Sequence, residues 1–287
     1  MFLGSISPEQ NPDASTANVQ VAAQLSKATG LAIKPKDYVT YQQAMDDMGK
    51  NLVHILWMPP GTYLFASERG IAEVALLANH FGIYQYGTQY LANTISGFTI
   101  YFDPISGLNN VDAPTALEQF RGKRPCWVDP SSLSGYIVPS GILAQNKITP
   151  GDAVYTQSHT SVVRSLYVKG VCDFGATFSV SGDPRTGSAV LTDLPDALER
   201  IPVIWRSDAI IPNLNIAYIA GLDEAKSKTL TAAFLEIAKT PEGRALLSSA
   251  ANNYQVDALK AVEDPIYDPL RSIVKILKIN LKDLLGK

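Results

Sequence analysis

The sequence predicts an α/β protein of two lobes, each an open mixed sheet flanked by helices, with a helical C-terminal tail. Three observations carry this expectation. Short β-like runs alternate with stretches of helical period in the first part of the chain. The same alternation restarts near residue 98, and beyond Gly221 the pattern turns wholly helical.

In order, "NVQVAAQLSKATG" (18–30) has helical period and is closed by Gly30, and "LAIKP" reads as a short strand. "DYVTYQQAMDDMGKN" (37–51) reads as a second helix, and "LVHILWM" (52–58) as a buried strand stopped by Pro59-Pro60-Gly61. "TYLFASERGIAEVALLANHFG" reads as helix up to Gly82. The restart begins with "FTIYF" (98–102) as a strand and "DAPTALEQFRGKR" as a helix with an Asp near its start. "PCWVDP" and "VCDFGATFS" read as strands, and "HTSVVRSLYVKG" (159–170) as the helix between them. After residues 201–221 come "DEAKSKTLTAAFLEIAKTPEGRALLSSA" and a last helix from about 265 to 285. The expected lobes are discontinuous: about 1–97 with 208–287, and about 98–207.

The 287 residues leave ample chain for real cores, and a net charge of -3 carries no basic footprint for nucleic acid. No apolar run reaches the roughly 18 to 20 residues of a membrane span. The N-terminus lacks the parts of a secretory signal, which read literally says cytoplasmic, and a removed leader is equally compatible. Cys126 and Cys172 sit in apolar stretches 46 positions apart, without metal spacing. The expectation is two buried thiols, with a disulfide between neighbouring strands left open.

The candidate chemistry centres on "DPSSLSGYIVPSGIL" (129–143). A helix beginning near Ser132 directly after a strand exposes amides that lack intrahelical partners and carry the positive end of the helix dipole, a setting for an anion. Ser132 and Ser134 add hydroxyls, Gly135 allows close approach to the backbone, and Pro139 shortens or kinks the helix. A plain serine cap is the competing reading. His159, flanked by Ser158 and Thr160 at another helix start, is a second candidate. His54 reads as structural and His80 as a complement to a helix dipole. In the turn "WMPPGTY", Thr62 and Tyr63 offer hydroxyls, and Tyr38 lies at the start of the second helix. No histidine pair has ligand spacing, and there is no Walker A, G-x-S-x-G or H-E-x-x-H signature. Neither a metal nor another cofactor is expected, and binding without catalysis fits better than an enzyme.

Taken together, "SPEQNP", "VHILWMPPGTYLFASERG", "GKRPCWVDPSSLSGYIVP", "SHTSVVRSLYVKGVCDFGA" and "VIWRSDAIIPN" resemble the periplasmic substrate-binding proteins of phosphonate, phosphite and phosphate-type ABC importers. The resemblance spans most of the chain, and its most specific part is Ser-x-Ser-Gly with the downstream Ser-His. It implies the two-lobed type II periplasmic-binding-protein fold, closing by hinge motion on a small phosphorus oxyanion held in the cleft. It also implies an ABC permease in the membrane as partner. The implied location is periplasmic or extracellular, at the membrane through the permease or a removed leader or anchor. By position, it implicates Ser132, Ser134 and Gly135, Leu133 through its backbone, His159 and, more loosely, Tyr63 and Tyr38.

The sequence departs from the family pattern at three places. Leu133 replaces a common threonine, no acid stands near Phe178-Ser179, and Leu214 and Asn215 stand where aminophosphonate binders carry an aspartate. The alternatives are a flat vitamin or pyrimidine precursor stacked on Trp57, Tyr63 and Tyr90, or an enzyme or sensor input module on the same scaffold. The apolar faces of "PLRSIVKILKINLKDLLG" would pack on the first lobe or on a second subunit.

Overall fold

The computed structural model describes residues 1–6, 11–168 and 170–286. The family-like segment "SPEQNP" therefore lies largely outside the described residues.

The elements run β1 (Phe2–Ile6), α1 (Pro12–Thr29), β2 (Lys34–Tyr38), α2 (Tyr41–Met48), β3 (Ile55–Met58), α3 (Pro60–Glu68), β4 (Ala72–Asn79) and β5 (Gln85–Ala92). They continue with β6 (Phe102–Asp103), β7 (Leu108–Asn109), α4 (Ala113–Leu117), β8 (Pro125–Trp127), α5 (Val138–Gln145), β9 (Val154–Tyr155), α6 (His159–Tyr167) and β10 (Phe174–Ser179). The last third holds α7 (Ser188–Leu191), α8 (Ala197–Arg200), β11 (Val203–Arg206), β12 (Ile211–Pro212), β13 (Asn215–Ile219), α9 (Glu224–Ile237), α10 (Pro241–Ala250), β14 (Ala258–Ala261) and α11 (Asp268–Leu277).

The chain forms two compact units. Unit 1 is Met1–Tyr84, Pro212–Asp268 and the chain from Asn280 on; unit 2 is Gln85–Ile211 and Pro269–Ile279. The bounds of these units differ from the expected ones at β5 and α11. Strand β5 belongs to unit 2 because its backbone pairs with β10 on one side and β11 on the other. Helix α11 leaves the expected first lobe as well: its Ile273 fills the space that Gly141 of α5 leaves by having no Cβ. The helical tail is thus divided, with α9 and α10 in unit 1 and nearly all of α11 in unit 2.

Unit 1 is built on a mixed sheet in the order β14-β4-β13-β3-β1-β2. Strands β1, β2 and β3 are parallel, and β13 runs against both β3 and β4. One face is covered by α1, whose buried Ala14, Ala17, Val21, Ala22 and Leu25 recur at helical spacing. That helix starts with Pro12 in its first turn and ends on Gly30 at φ 72°, a left-handed cap that glycine adopts without a Cβ penalty. Leu3, Ile55, Trp57, Leu76, Ile216, Phe234 and Leu247 complete this core.

The expected helix through Gly82 is two elements. Helix α3 stops at Glu68, Gly70 turns at φ 63°, and the apolar run after it is β4. That run lies between β13 and β14, so the backbone partners are supplied by chain far downstream and override local helical period.

Unit 2 carries a second mixed sheet, β11-β5-β10-β8-β9, in which β8, β9 and β10 are parallel and β5 runs against β10 and β11. Leu91, Cys126, Val128, Val162, Val163, Leu166 and Val203 form the core under α6. On the other face Tyr90, Phe120 and Phe174 stack in series. Of the expected strand 98–102, Phe102 lies in a strand, and with Asp103 it faces Leu108–Asn109 in a short hairpin.

The two cysteines are not free thiols. Because β8 and β10 are neighbours, Cys126 and Cys172 meet with their Cα atoms 5.6 Å apart and form a disulfide.

Candidate binding site

In unit 2, β8, β9, β10 and β11 all point the same way, so their carboxyl ends share one edge of the sheet. Ligands of open α/β sheets lie beyond that edge. The chain leaving β8 there contains the serine motif, the chain leaving β9 leads to His159, and β10 ends on Ser179.

The serine turn is assembled from local hydrogen bonds. The Asp129 carboxylate accepts from the Ser131 amide at 2.8 Å and the Ser131 hydroxyl at 2.5 Å. Ser132 is the N-cap residue, its Oγ accepting from the Gly135 amide at 3.2 Å. The first turn, Leu133–Ile137, is wide: the Ile137 amide donates to the Ser132 carbonyl at 2.9 Å, five residues back. Pro139 accounts for part of this. It has no N–H for the Gly135 carbonyl four residues earlier, and that carbonyl accepts instead from the Val128 amide at 3.1 Å. The Ser134 carbonyl is likewise taken by the Thr88 hydroxyl at 2.7 Å.

What this turn leaves over is the amides of Leu133 and Ser134 and the Ser134 hydroxyl. None of the three has a hydrogen-bond partner among the described residues, although Ser134 is only 4% exposed. Such donors at the positive end of a helix are suited to an anion.

Gly135 also has a packing role. A Cβ there would lie 2.3 Å from Val128 Cγ2 and 2.8 Å from Ser132 Oγ, so its absence lets the turn pack on Val128, just after β8. Gly135→Ala is expected to cost about 1–3 kcal/mol through overpacking. A thermal melt checks it, and an unchanged midpoint would show that the turn shifts freely.

His159 opens α6, capped by Ser158, whose Oγ accepts from the Ser161 amide at 3.1 Å. The Ser158 hydroxyl also meets Thr160 Oγ1 at 3.1 Å and Ser161 Oγ at 2.8 Å. The flanking hydroxyls therefore satisfy one another, and His159 is the residue with capacity to spare. Its ring sits edge-on to Phe178 at 4.8 Å, and its Nδ1 is buried with no hydrogen-bond partner among the described residues. Burial pushes the imidazole down to about 4, against an upward pull from the Asp129 carboxylate.

Ser179 adds a buried hydroxyl, also without a partner among the described residues. The sequence reading treats it only as a position lacking an acid; the two-residue alternation of "FGATFS" is the signal that sets Gly175, Thr177 and Ser179 on one face. Two non-glycine residues at this edge hold positive φ, Gln157 at 70° and Val180 at 74°. A β-branched residue there is strained, and such strain concentrates at functional sites.

In unit 1 the expected tyrosines are engaged elsewhere. Tyr63 is 1% exposed and stacks on Tyr267 at 4.3 Å. Its hydroxyl donates to Asp264 at 2.6 Å and accepts from the Val74 amide at 3.1 Å, so it is engaged inside unit 1. Tyr38 does end β2 at the carboxyl edge of its own sheet, but its hydroxyl donates to Asp47 at 3.0 Å, beside the Lys36–Asp47 ion pair. Among the described residues no cluster of His, Cys, Asp and Glu could hold a metal. No helix among them is long and apolar enough to cross a membrane.

The chain is 23% identical over 222 residues to the phosphate-import protein PhnD of Mycolicibacterium smegmatis, covering 72% of this chain and 63% of that protein. It is 25% identical over 246 residues to the phosphonates-binding periplasmic protein of Escherichia coli, covering 85% of this chain and 68% of that protein. Among solved structures, XAC2383 from Xanthomonas citri bound to ATP superposes with a TM-score of 0.68 at 15% identity, over 99% of this chain and 98% of that one, which shows the shared two-lobed fold. Residues 5–265 match the model of the ABC transporter, phosphonate, periplasmic substrate-binding protein family, and the chain belongs to that family.

Proposed function

We propose that this chain is the solute-binding receptor of an ABC importer and holds a small phosphorus oxyanion (phosphonate, phosphite or phosphate) at the carboxyl edge of unit 2. The observation that carries this reading is the set of unpartnered donors: the Leu133 and Ser134 amides and the Ser134 hydroxyl at one helix start. His159 and Ser179 stand on the neighbouring parallel strands' exits. The Cys126–Cys172 disulfide supports an oxidising compartment such as the periplasm. The receptor would deliver its ligand to a membrane permease.

Two alternatives lose support. A flat precursor stacked on Trp57, Tyr63 and Tyr90 finds no open ring face, because the three are 4%, 1% and 0% exposed. Thiol catalysis has no nucleophile, since both cysteines are in the disulfide.

A thermal-shift series with phosphate, phosphite and methylphosphonate tests the reading, because a ligand that binds the folded state raises its apparent stability. Ser134→Ala is the sharper probe. A hydrogen bond to a charged group contributes about 1.5–3 kcal/mol, so the variant is expected to bind roughly ten- to a hundredfold more weakly with its fold intact. Unchanged affinity in a calorimetric titration would remove Ser134 from the site.

A further inference from the structure

The chain passes from one unit to the other after Tyr84 and after Ile211, and again at the two ends of α11, after Asp268 and after Ile279. Helix α11 therefore packs in unit 2 while the chain on both sides of it belongs to unit 1. Just before it, Tyr267 is fully buried and stacks on Tyr63 at 4.3 Å, and its hydroxyl accepts from Asn215 Nδ2 at 2.8 Å. Just after it, Leu284 is fully buried and the Gly286 amide donates to the Thr62 hydroxyl at 2.8 Å. Both flanks are thus fastened inside unit 1.

Within unit 2, α11 buries Leu270, Ile273 and Val274, one face at helical spacing. Its close fit is with α5. A Cβ on Gly141 would lie 2.4 Å from Ile273 Cγ2 and 3.0 Å from its Cδ1, so Ile273 sits in a notch that a glycine leaves open. Beside the notch the packing is looser, with an open cleft of about 440 Å³ lined by Gln145, Trp205, Asp208 and Ser272. The notch is what fixes α11 against α5. Helix α5 is itself the continuation of the serine turn: Leu133–Ile137, which carries the unpartnered amides, runs directly into Val138. A close-packed contact passes a displacement on rather than absorbing it.

We propose that α11 is a strap that positions the oxyanion turn: Ile273, seated on Gly141, holds α5 where it presents the Leu133 and Ser134 amides, and a ligand on those amides tightens the seat of α11. The proposal rests on the oxyanion placement given above. Its consequence is reciprocal. Whatever loosens α11 weakens the ligand, and the ligand protects α11 by the same factor.

The test is amide hydrogen exchange of the whole chain with and without phosphate or methylphosphonate, joined to calorimetric titration of variants. With ligand, the amides of α11 are expected to gain more protection than those of α9, a helix of unit 1. Ile273→Ala is expected to bind roughly tenfold more weakly, as is usual for coupled sites, and to lose the added protection. Ile273→Val, which refills most of the notch, should recover both. Ile201→Ala, which opens the core under α6, is the control for lost stability and should keep native affinity. Native affinity in Ile273→Ala, or an equal loss in Ile201→Ala, overturns the strap and leaves the oxyanion reading standing. Protection of α11 no greater than that of α9 does the same in the native protein alone, whether or not Ile273→Ala folds. Failure of every phosphorus oxyanion to bind overturns both.

Discussion

Reducing the Cys126–Cys172 bridge is expected to destabilise the protein by about 4 kcal/mol, the loop-closure entropy of a disulfide spanning a separation of 46 residues. The loop it closes contains Ser132, Leu133, Ser134, Gly135 and His159, so most of the proposed oxyanion site lies inside the constrained segment, with Ser179 beyond it. The bridge also fastens β8, which feeds the serine turn, to the start of β10, which ends on Ser179. Guanidinium unfolding with and without a thiol reductant measures the effect. Cys172→Ala, which cannot form the bridge, should reproduce the reduced protein's midpoint. Because the chain has two units, the change should appear in the transition that reports unit 2. An identical midpoint under both conditions would mean the bridge does not stabilise the fold.

What the sequence reveals and what it hides divides along the range of the interactions involved. The start of α6, the serine cap and the position of Pro139 are written in adjacent residues, and the structure places each where the local pattern says. The same is true of α1 between Pro12 and Gly30. Strand β4 is different. Its apolar run has helical composition, and it becomes a strand because β13 and β14 pair with both its sides. Tyr63 likewise reads as a turn hydroxyl until Asp264, 201 residues away, accepts its hydrogen bond. The disulfide belongs to this class too: spacing in the chain does not say that β8 and β10 are neighbours. Gly135 is legible as a required glycine, but its packing reason is not, since the clash it avoids is with Val128, just after β8. Strand order and long-range partners decide these cases, and a single sequence carries little trace of either.

Methylphosphonate is expected to bind at least about a hundredfold more tightly than 2-aminoethylphosphonate, since burying an unpaired ammonium costs several kcal/mol and each decade of affinity is about 1.4 kcal/mol. This rests on the proposed oxyanion site. The resemblance places carboxylates against the amine in aminophosphonate binders, whereas this chain has Ser179, Leu214 and Asn215 near the matching positions. Leu214 is packed in the apolar core of unit 1. Asn215 spends its Nδ2 on the Met58 carbonyl and the Tyr267 hydroxyl, both at 2.8 Å, leaving a buried Oδ1 that is a dipole rather than a charge. A neutral amide offsets less desolvation than a carboxylate does. Nearby acids do not readily fill the gap. Asp173 precedes β10 and accepts from the Arg124 amide at 2.8 Å, at the opposite edge of the sheet from Ser179. Asp183 is held by the Arg185 guanidinium at 2.6 Å and also accepts from Gln89 at 3.3 Å. Asp208 follows β11 at the carboxyl edge and is exposed, so it is the acid to control for. A competition titration in the native protein and in Asp208→Asn decides the matter: the preference for methylphosphonate should hold in both. Tighter binding of the aminophosphonate in Asp208→Asn would show that the amine is satisfied without Asp208, and the predicted preference would be wrong.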